Sequence, residues 1–423
     1  MSAIRQAACW VVAVGAIWGS CSAAEAADGG GFQVRVRETR GLERTNELVR
    51  LPLKAEAGPW RVTAADGRSA PAQIVETENG RALWFAADVP AKGERVYSVQ
   101  PGTPAGPDYP LVVAGLTSRD QETYVRNRFY TATLMPRSAA LNTLIAAGDP
   151  RWMLYNELRY IGCKEQLGPI HWTPDVLSLA RTPEIPGRNP KLKGFWPKSF
   201  QWSSVPGLQE SRGPLLYRIR RRGPVYFFNE VEAEVVYRFA AVRPEVIVES
   251  TIRMTQDLPT RILRNGEWVF RKQLFTRGAC KDMEGTIRRF SLEAKTSEAQ
   301  KRSLHPEDPW LAVYDPEAGT GFAVVRLEIR NTGPDAGEPT LANYRMAVVC
   351  YGNTLEIARI LVGLPGGQRD PEHQVVVKAG NVYFMREAIL MFDARQKDAL
   401  ERLDGKAERL RHPLAVERVA AAE

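Results

Sequence analysis

His171-Trp172 and, further along the same stretch, Gly194-Phe195-Trp196-Pro197-Lys198-Ser199-Phe200-Gln201-Trp202 form the chain's richest mixture of aromatic and polar side chains. Sugar rings present C–H faces that pack on indole, while polar neighbours satisfy hydroxyls. Ligand sites combine such apolar walls with a few placed polar groups. Trp172, Trp196 and Trp202 are therefore candidate substrate-binding residues. The competing reading is that these aromatics only pin a long loop to the sheet beneath it.

A second group lies in Asn265 to Arg277, NGEWVFRKQLFTR. Arg271 and Lys272 have the chemistry to neutralise a uronate carboxylate, Arg as a planar fork and Lys as a point charge. Elimination from a uronide also needs a base near the C5 proton, a task that His171 or a tyrosine would serve. His171, Arg271 and Lys272 are the candidate catalytic set, and Glu267 and Arg277 join the candidate substrate-binding residues. A solvated strand with ordinary charges is the alternative. Arg218, Arg220 and Arg222 project to one face of a strand, as a grip for an acidic polymer or as a solvated edge that discourages aggregation.

Other chemistries find little support. Paired hydrolase carboxylates cannot be assigned by spacing; Glu232 and Glu234 alternate with Val231, Ala233 and Val235, which marks an outer strand face. His171, His305, His373 and His412 are scattered, and no H-x-x-x-H or C-x-x-C pair occurs, so neither a metal nor a cofactor is expected. Asp393 and Asp398 flank the terminal helix and read as caps. No nucleophile elbow, phosphate-binding glycine loop or dinucleotide fingerprint is present.

The elements that must position these groups are strands. Phe32 to Arg37, Leu48 to Leu53, Trp60 to Thr63, Ala72 to Val75, Ala82 to Ala86 and Val96 to Val99 alternate apolar and polar residues. Asp66-Gly67 and Asn79-Gly80 are hairpin turns, and Pro52 argues for an edge or bulge. Pro101 to Pro110 is a Pro/Gly linker. Tyr130 to Met135 and Leu141 to Ala146 follow as a hairpin, and Pro169 to Gly213 reads as a long irregular insertion. Strands then succeed one another from Leu215 to Phe392, with Arg261–Arg264, Asn265-Gly266 and Glu267–Phe270 patterned as a hairpin or a loop. Ala399, Leu400, Leu403, Ala407 and Leu410 take helical spacing, stopped by Pro413.

Residues 1–27 read as a secretory signal: Arg5, an apolar run from Ala7 to Trp18, then small residues to Ala27. Export to the periplasm or beyond is expected, with lipid attachment at Cys21 as a weaker alternative. Cleavage there leaves Cys163, Cys280 and Cys350, at most one disulfide. No later run is long enough to span a bilayer. The net charge of +8 is dispersed among acidic residues, which argues against a nucleic-acid partner.

The run from Asp66 to Val99, DGRSAPAQIVETENGRALWFAADVPAKGERVYSV, resembles the small β-domain in the C-terminal half of retaining α-mannosidases. That domain has a D-G-x-x-x-P-x-Q hairpin, a strand of the type l-x-F-x-A-x-v-P and a closing Tyr strand. There the next element opens a galactose-mutarotase-like β-supersandwich, a place taken here by Val125 to Leu134. The resemblance covers roughly residues 60 to 148. It implies a scaffold, because an α-mannosidase carries its metal and catalytic carboxylates in a preceding α/β domain for which this chain has no room. No catalytic residue is carried over.

These readings converge on an all-β protein: a small antiparallel β-sandwich domain (32–100), a linker (101–112), a large β-supersandwich (113–393) and one C-terminal helix (394–412). The expected partner is a poly- or oligosaccharide, anionic in the case of a polysaccharide lyase. The alternative is a non-catalytic carbohydrate-binding or cell-envelope structural protein.

Overall fold

The computed structural model describes residues 30–53, 58–78, 80–115, 121–134, 141–147, 153–155, 174–177, 207–225, 228–260, 262–292, 302–305, 307–338, 345–351, 354–362 and 375–419. The first strands are β1 (Phe32–Arg37), β2 (Arg44–Leu53), β3 (Trp60–Ala64), β4 (Ser69–Ala70), β5 (Ala72–Thr77), β6 (Gly80–Val89) and β7 (Glu94–Pro101). They form two facing sheets, β1-β7-β3-β4 and β2-β6-β5. Alternate residues Val34, Val36, Val62, Tyr97 and Val99 of one sheet meet Val49, Leu51, Leu83, Phe85 and Val89 of the other. This is the inward face that period-2 patterning demands. Gly67 takes φ +83° in the Asp66-Gly67 turn, and Pro52 sits on the edge strand β2.

The larger part begins with β8 (Val112–Ala114), β9 (Thr123–Arg126), β10 (Tyr130–Leu134), β11 (Leu141–Ala146) and β12 (Met153–Tyr155), paired sequentially in one antiparallel sheet. It continues through β13 (Pro174–Leu177), β14 (Gln209–Ser211), β15 (Leu216–Val225), β16 (Phe228–Ala240), β17 (Val246–Met254), β18 (Leu258–Thr260) and β19 (Ile262–Arg271). Then come β20 (Arg277–Lys281), β21 (Ile287–Ser291), β22 (Arg302–Leu304), β23 (Trp310–Asp315) and β24 (Thr320–Thr332). The last of this series are β25 (Arg345–Tyr351), β26 (Thr354–Val362), β27 (Val375–Val377) and β28 (Val382–Met391).

A nine-stranded sheet, β14-β15-β16-β17-β28-β24-β23-β20-β21, is one layer. The β8–β12 sheet and the five-stranded β13-β19-β26-β25-β22 sheet supply the other. Tyr237, Val248, Val324, Met385 and Ile389 of the first layer share one core with Tyr130, Leu144, Trp268, Phe270, Leu355 and Ile357 of the second.

The outer face of the nine-stranded sheet is covered at one end by α1 (Ala399–Arg411). Its buried Leu400, Leu403 and Ala407 pack with Trp310, Ala323, Val325, Ala388 and Leu390. Asp398 occupies the N-cap without a side-chain cap bond, because its carboxylate accepts from Arg402 Nε instead at 2.7 Å. Asp393 does accept a backbone N–H, from Arg395 at 3.1 Å. Beyond the helix, β29 (Ala415–Val419) pairs antiparallel with β1. The end of the chain thus completes the sheet at its beginning, an element the sequence pattern had not suggested.

Several expectations are corrected. Residues 262–271 form one continuous strand, and Asn265-Gly266 is neither hairpin turn nor loop but the site of a register shift against β26. Asn265 is fully buried and accepts from Ser250 Oγ at 2.5 Å, which draws the bulge inward. The 169–213 stretch is not wholly irregular, since it contributes β13 and β14. β14 pairs outside β15, so β15 is no edge, and Arg218 and Arg220 are buried against Glu78 of the small sandwich, where a solvated edge was one expectation. Arg218 binds both oxygens of Glu78, Arg220 binds Glu234, and Arg222 binds Glu232. Cys280 is buried and in no disulfide among the described residues. Cys163 and the side chain of Cys350 lie outside the described residues.

The polar positions that carry the α-mannosidase resemblance turn out to be joints. Gln73 Oε1 accepts from the backbone N–H of Leu215 and Leu216, and its Nε2 donates to Leu216 O at 2.9 Å. A Cβ on Gly213 would stand 2.2 Å from the Gln73 amide carbon, so only glycine leaves room for this bridge. Asn127 Oδ1 accepts from Phe129 and Tyr130 N–H, while its Nδ2 donates to Ala240 O and Arg243 O. Gln73→Ala would leave two N–H groups and a carbonyl unsatisfied at the joint between the two parts. A loss of about 3 kcal/mol in urea unfolding is expected.

Candidate functional site

Most of the expected site residues lie beyond what the structure describes. His171, Trp172, Trp196 and Trp202 lie outside the described residues, as do the side chains of Glu267 and Arg271. The backbone of Glu267 and Arg271 belongs to β19, where Trp268 and Phe270 do face the core as the alternation required. Lys272 opens a 3-10 turn, Lys272–Leu274, and Arg277 is exposed at the start of β20. One backbone juxtaposition stands out. β13 places Pro174 opposite Asn265, so the chain just after His171 runs beside the strand carrying Glu267 and Arg271.

A different set of side chains converges at the other end of the sandwich. His305, Asp308, Trp310, Leu311, Val324, Arg326, Met346 and Arg359 line a small cleft, partly open to solvent, whose enclosed space is about that of one water molecule. Its position follows from topology. Residues 305–309 carry the chain from β22 in one layer to β23 in the other, so they cross the open end between the sheets. Arg271 pairs with Thr354, five residues along β26 from Arg359. At the rise of a β-strand that is roughly 17 Å away. Arg271 and Lys272 therefore do not share this cleft.

Behind the cleft lies a buried charge cluster. Glu387 on β28 stands across from Arg326 on β24 and points into the core with Met385 and Ile389. Arg359, on the facing sheet, donates to Glu387 Oε1. Glu387 is 0% exposed, and its Oε2 has no hydrogen-bond partner among the described residues. Burial pushes its carboxyl above the usual range, with Arg359 offsetting part of the effect. Arg326 reaches outward, donating to Glu307 Oε2 at 2.9 Å and Glu307 O at 2.7 Å.

At the rim, two residues fix each other. His305 N–H donates to Asp308 Oδ2, Asp308 N–H donates to His305 O, and Glu307 N–H donates to His305 Nδ1, each at 3.1 Å. With Nδ1 occupied as an acceptor, the neutral ring carries its proton on Nε2. His305 thereby presents Nε2–H as a hydrogen-bond donor on the exposed side of the ring. Burial pushes the Asp308 carboxyl upward. The cleft thus offers fixed donors and acceptors with apolar walls from Leu311, Val324 and Met346. Arg326 and Arg359 are balanced by Glu307, Asp308 and Glu387, so the site favours hydroxyl-rich over strongly anionic ligands. Among the described residues no group of His, Cys, Asp and Glu is placed to hold a metal ion. Sequence reasoning noted only His305 here, as one scattered histidine.

No protein-family model and no curated protein matches the sequence. Solved structures do. A protein in glycosyl hydrolase family 38 from Enterococcus faecalis is similar at TM-score 0.50 and 12% identity, over 93% of this chain and 48% of that one. An alpha-mannosidase from Enterococcus faecalis V583 is similar at TM-score 0.52 and 12% identity, over 93% of this chain and 46% of that one. A galactose mutarotase-like protein from Lactobacillus casei ATCC 334 is similar at TM-score 0.38 and 8% identity, over 64% of this chain and 99% of that one. The chain spans less than half the length of the two Enterococcus structures. The architecture expected from the Asp66–Val99 resemblance is the one observed, and at these identities the likeness is one of fold.

Proposed function

We propose that this chain is an exported carbohydrate-binding protein whose β-supersandwich meets a sugar unit at the rim of the cleft between its layers, where His305 is exposed. The observation that carries this reading is the cleft itself. His305 offers Nε2–H, Asp308 a carboxyl and Arg326 and Arg359 guanidinium groups, all held by neighbours, against an apolar wall. Such paired, internally neutralised groups suit vicinal hydroxyls, which both donate and accept. The fold supports the reading, since proteins described as a glycosyl hydrolase family 38 member and an alpha-mannosidase share it. Titration calorimetry of the full chain against neutral and acidic oligosaccharides tests it. Saturable binding is expected, weakened about tenfold by His305→Ala, which corresponds to about 1.4 kcal/mol. His305 is exposed, so that variant should remain folded.

A second reading, a polysaccharide lyase using His171, Arg271 and Lys272, is favoured by the Pro174–Asn265 register. It predicts a rise in ultraviolet absorbance from new C4–C5 double bonds on a uronic-acid polymer panel. No turnover on any such polymer counts against it.

A further inference from the structure

The outer face of the nine-stranded sheet carries a second polar locus, independent of the cleft on its inner side. Where the β2-β6-β5 sheet packs over it, hydrophobic contact is made by Leu48, Val75 and Trp84 against Leu216 and Ala240. Beside that contact a ladder of charges crosses four strands. Arg238 on β16 donates to both oxygens of Glu249 on β17, at 2.9 and 2.6 Å. Arg386 on β28 joins Glu249 at 2.6 Å and Glu328 on β24 at 3.0 Å. Arg330 meets the same Glu328 at 2.7 Å.

Each carboxylate is therefore shared by two guanidiniums, and a further arginine faces the ladder from the small domain. Arg50, exposed on β2, makes no hydrogen bond or ion pair among the described residues. Partial burial of its stem, then repulsion from Arg238 and Arg386, depresses its proton affinity, while Glu249 and Glu78 attract it. With Glu78 and its partner Arg218 included, five arginines (Arg50, Arg218, Arg238, Arg330 and Arg386) stand against three glutamates (Glu78, Glu249 and Glu328). Glu249 stays ionised near neutrality, since its arginine neighbours hold it at about 2 despite its burial.

Aromatic surface accompanies the charge. Trp84 lies opposite Arg50 across the β2–β6 pair, and its buried indole N–H has no hydrogen-bond partner among the described residues. The Arg238 guanidinium sits 5.9 Å from that indole. Phe384 is flanked by Arg330 at 4.5 Å and Arg386 at 5.7 Å. Excess planar cations that match carboxylate geometry, next to aromatic faces that match ring C–H surfaces, define a ligand carrying both features.

We propose that this surface, where the small sandwich meets the nine-stranded sheet, binds the carboxylates of an acidic glycan, with Arg50 as its anchor. The probe is polygalacturonate, measured by calorimetry on the full chain, beside its fully methyl-esterified form and inorganic polyphosphate. Binding to polygalacturonate is expected to weaken with salt, to fall at least tenfold in Arg50→Ala and to be lost in Arg50→Glu. Equal affinity for the methyl ester would overturn the proposal, as would unchanged affinity in both Arg50 variants. Polyphosphate bound as tightly as polygalacturonate would show mere charge attraction and overturn it too. His305→Ala should leave this binding intact while weakening the cleft ligand. Loss of polygalacturonate binding in that variant, with Arg50 variants unaffected, would reassign the acidic glycan to the cleft.

Discussion

Replacing Arg359 by methionine should lower the unfolding free energy by about 3–5 kcal/mol. Arg359 and Glu387 are 4% and 0% exposed and come from opposite layers of the sandwich. Two charges withdrawn from water repay their desolvation only through each other. Removing the cation leaves Glu387 buried with Arg326 as its nearest compensation. Part of the cost will be avoided by protonation, because burial already raises the Glu387 carboxyl. The destabilisation should therefore be smaller in acid and larger as pH rises. Arg359→Met combined with Glu387→Leu should recover most of the loss, since an apolar pair of similar volume carries no desolvation cost. Urea unfolding of the three variants checks this. A single variant as stable as the parent would show that the pair is solvated in solution.

Arg44→Ala should be comparably damaging, at about 3–5 kcal/mol, and its effect should fall on the junction of the two parts. The side chain is 1% exposed and binds three things at once. Nη1 donates to Arg409 O at 2.7 Å, and Nη2 donates to His412 O at 2.6 Å and Glu38 Oε1 at 3.3 Å. A cation thus caps the carbonyl end of α1 and fastens it to the small sandwich. Without it, the chain that leads from α1 into β29 loses its anchor. Limited proteolysis should then cut near His412, where the parent resists.

Glu38 belongs to the same clamp and gives it a pH signature. Although burial opposes its ionisation, N–H groups of Lys92, Arg40, Gly41 and Leu42 hold its carboxyl at about 2, against an ordinary 4.5. Glu249 is held equally low. The unfolded chain therefore binds more protons than the folded one between these values. The stabilisation is complete above pH 4.5 and is lost as pH falls toward 2. Glu38→Gln should flatten that acid limb of the stability curve, and an unchanged limb would contradict the assignment.

What could be read from the sequence was local. Period-2 alternation, the Asp66-Gly67 turn and the edge position of Pro52 depend on neighbours a few residues apart. The helix stripe of Leu400, Leu403 and Ala407 does as well. The missed features depend on distant partners. Arg218 looked solvated because Glu78, its partner, lies 140 residues away in sequence. Asn265-Gly266 looked like a turn because its bulge is defined by Ser250 and β26. β29 is a run of only five residues, stabilised by pairing with β1 at the opposite end of the chain. The cleft was invisible for the same reason. His305, Asp308, Arg326, Arg359 and Glu387 each pass for ordinary strand or loop polarity until two sheets bring them together.

A sugar is expected to bind at the rim of the cleft between the layers. Hydrogen exchange of the full chain, with and without a neutral oligosaccharide found to bind by calorimetry, tests this most directly. Protection is predicted at residues 302–311, 345–351 and 354–362, which surround His305, Met346 and Arg359. Binding that leaves these segments unprotected while slowing exchange elsewhere would contradict the account, and so would the failure of every glycan to bind.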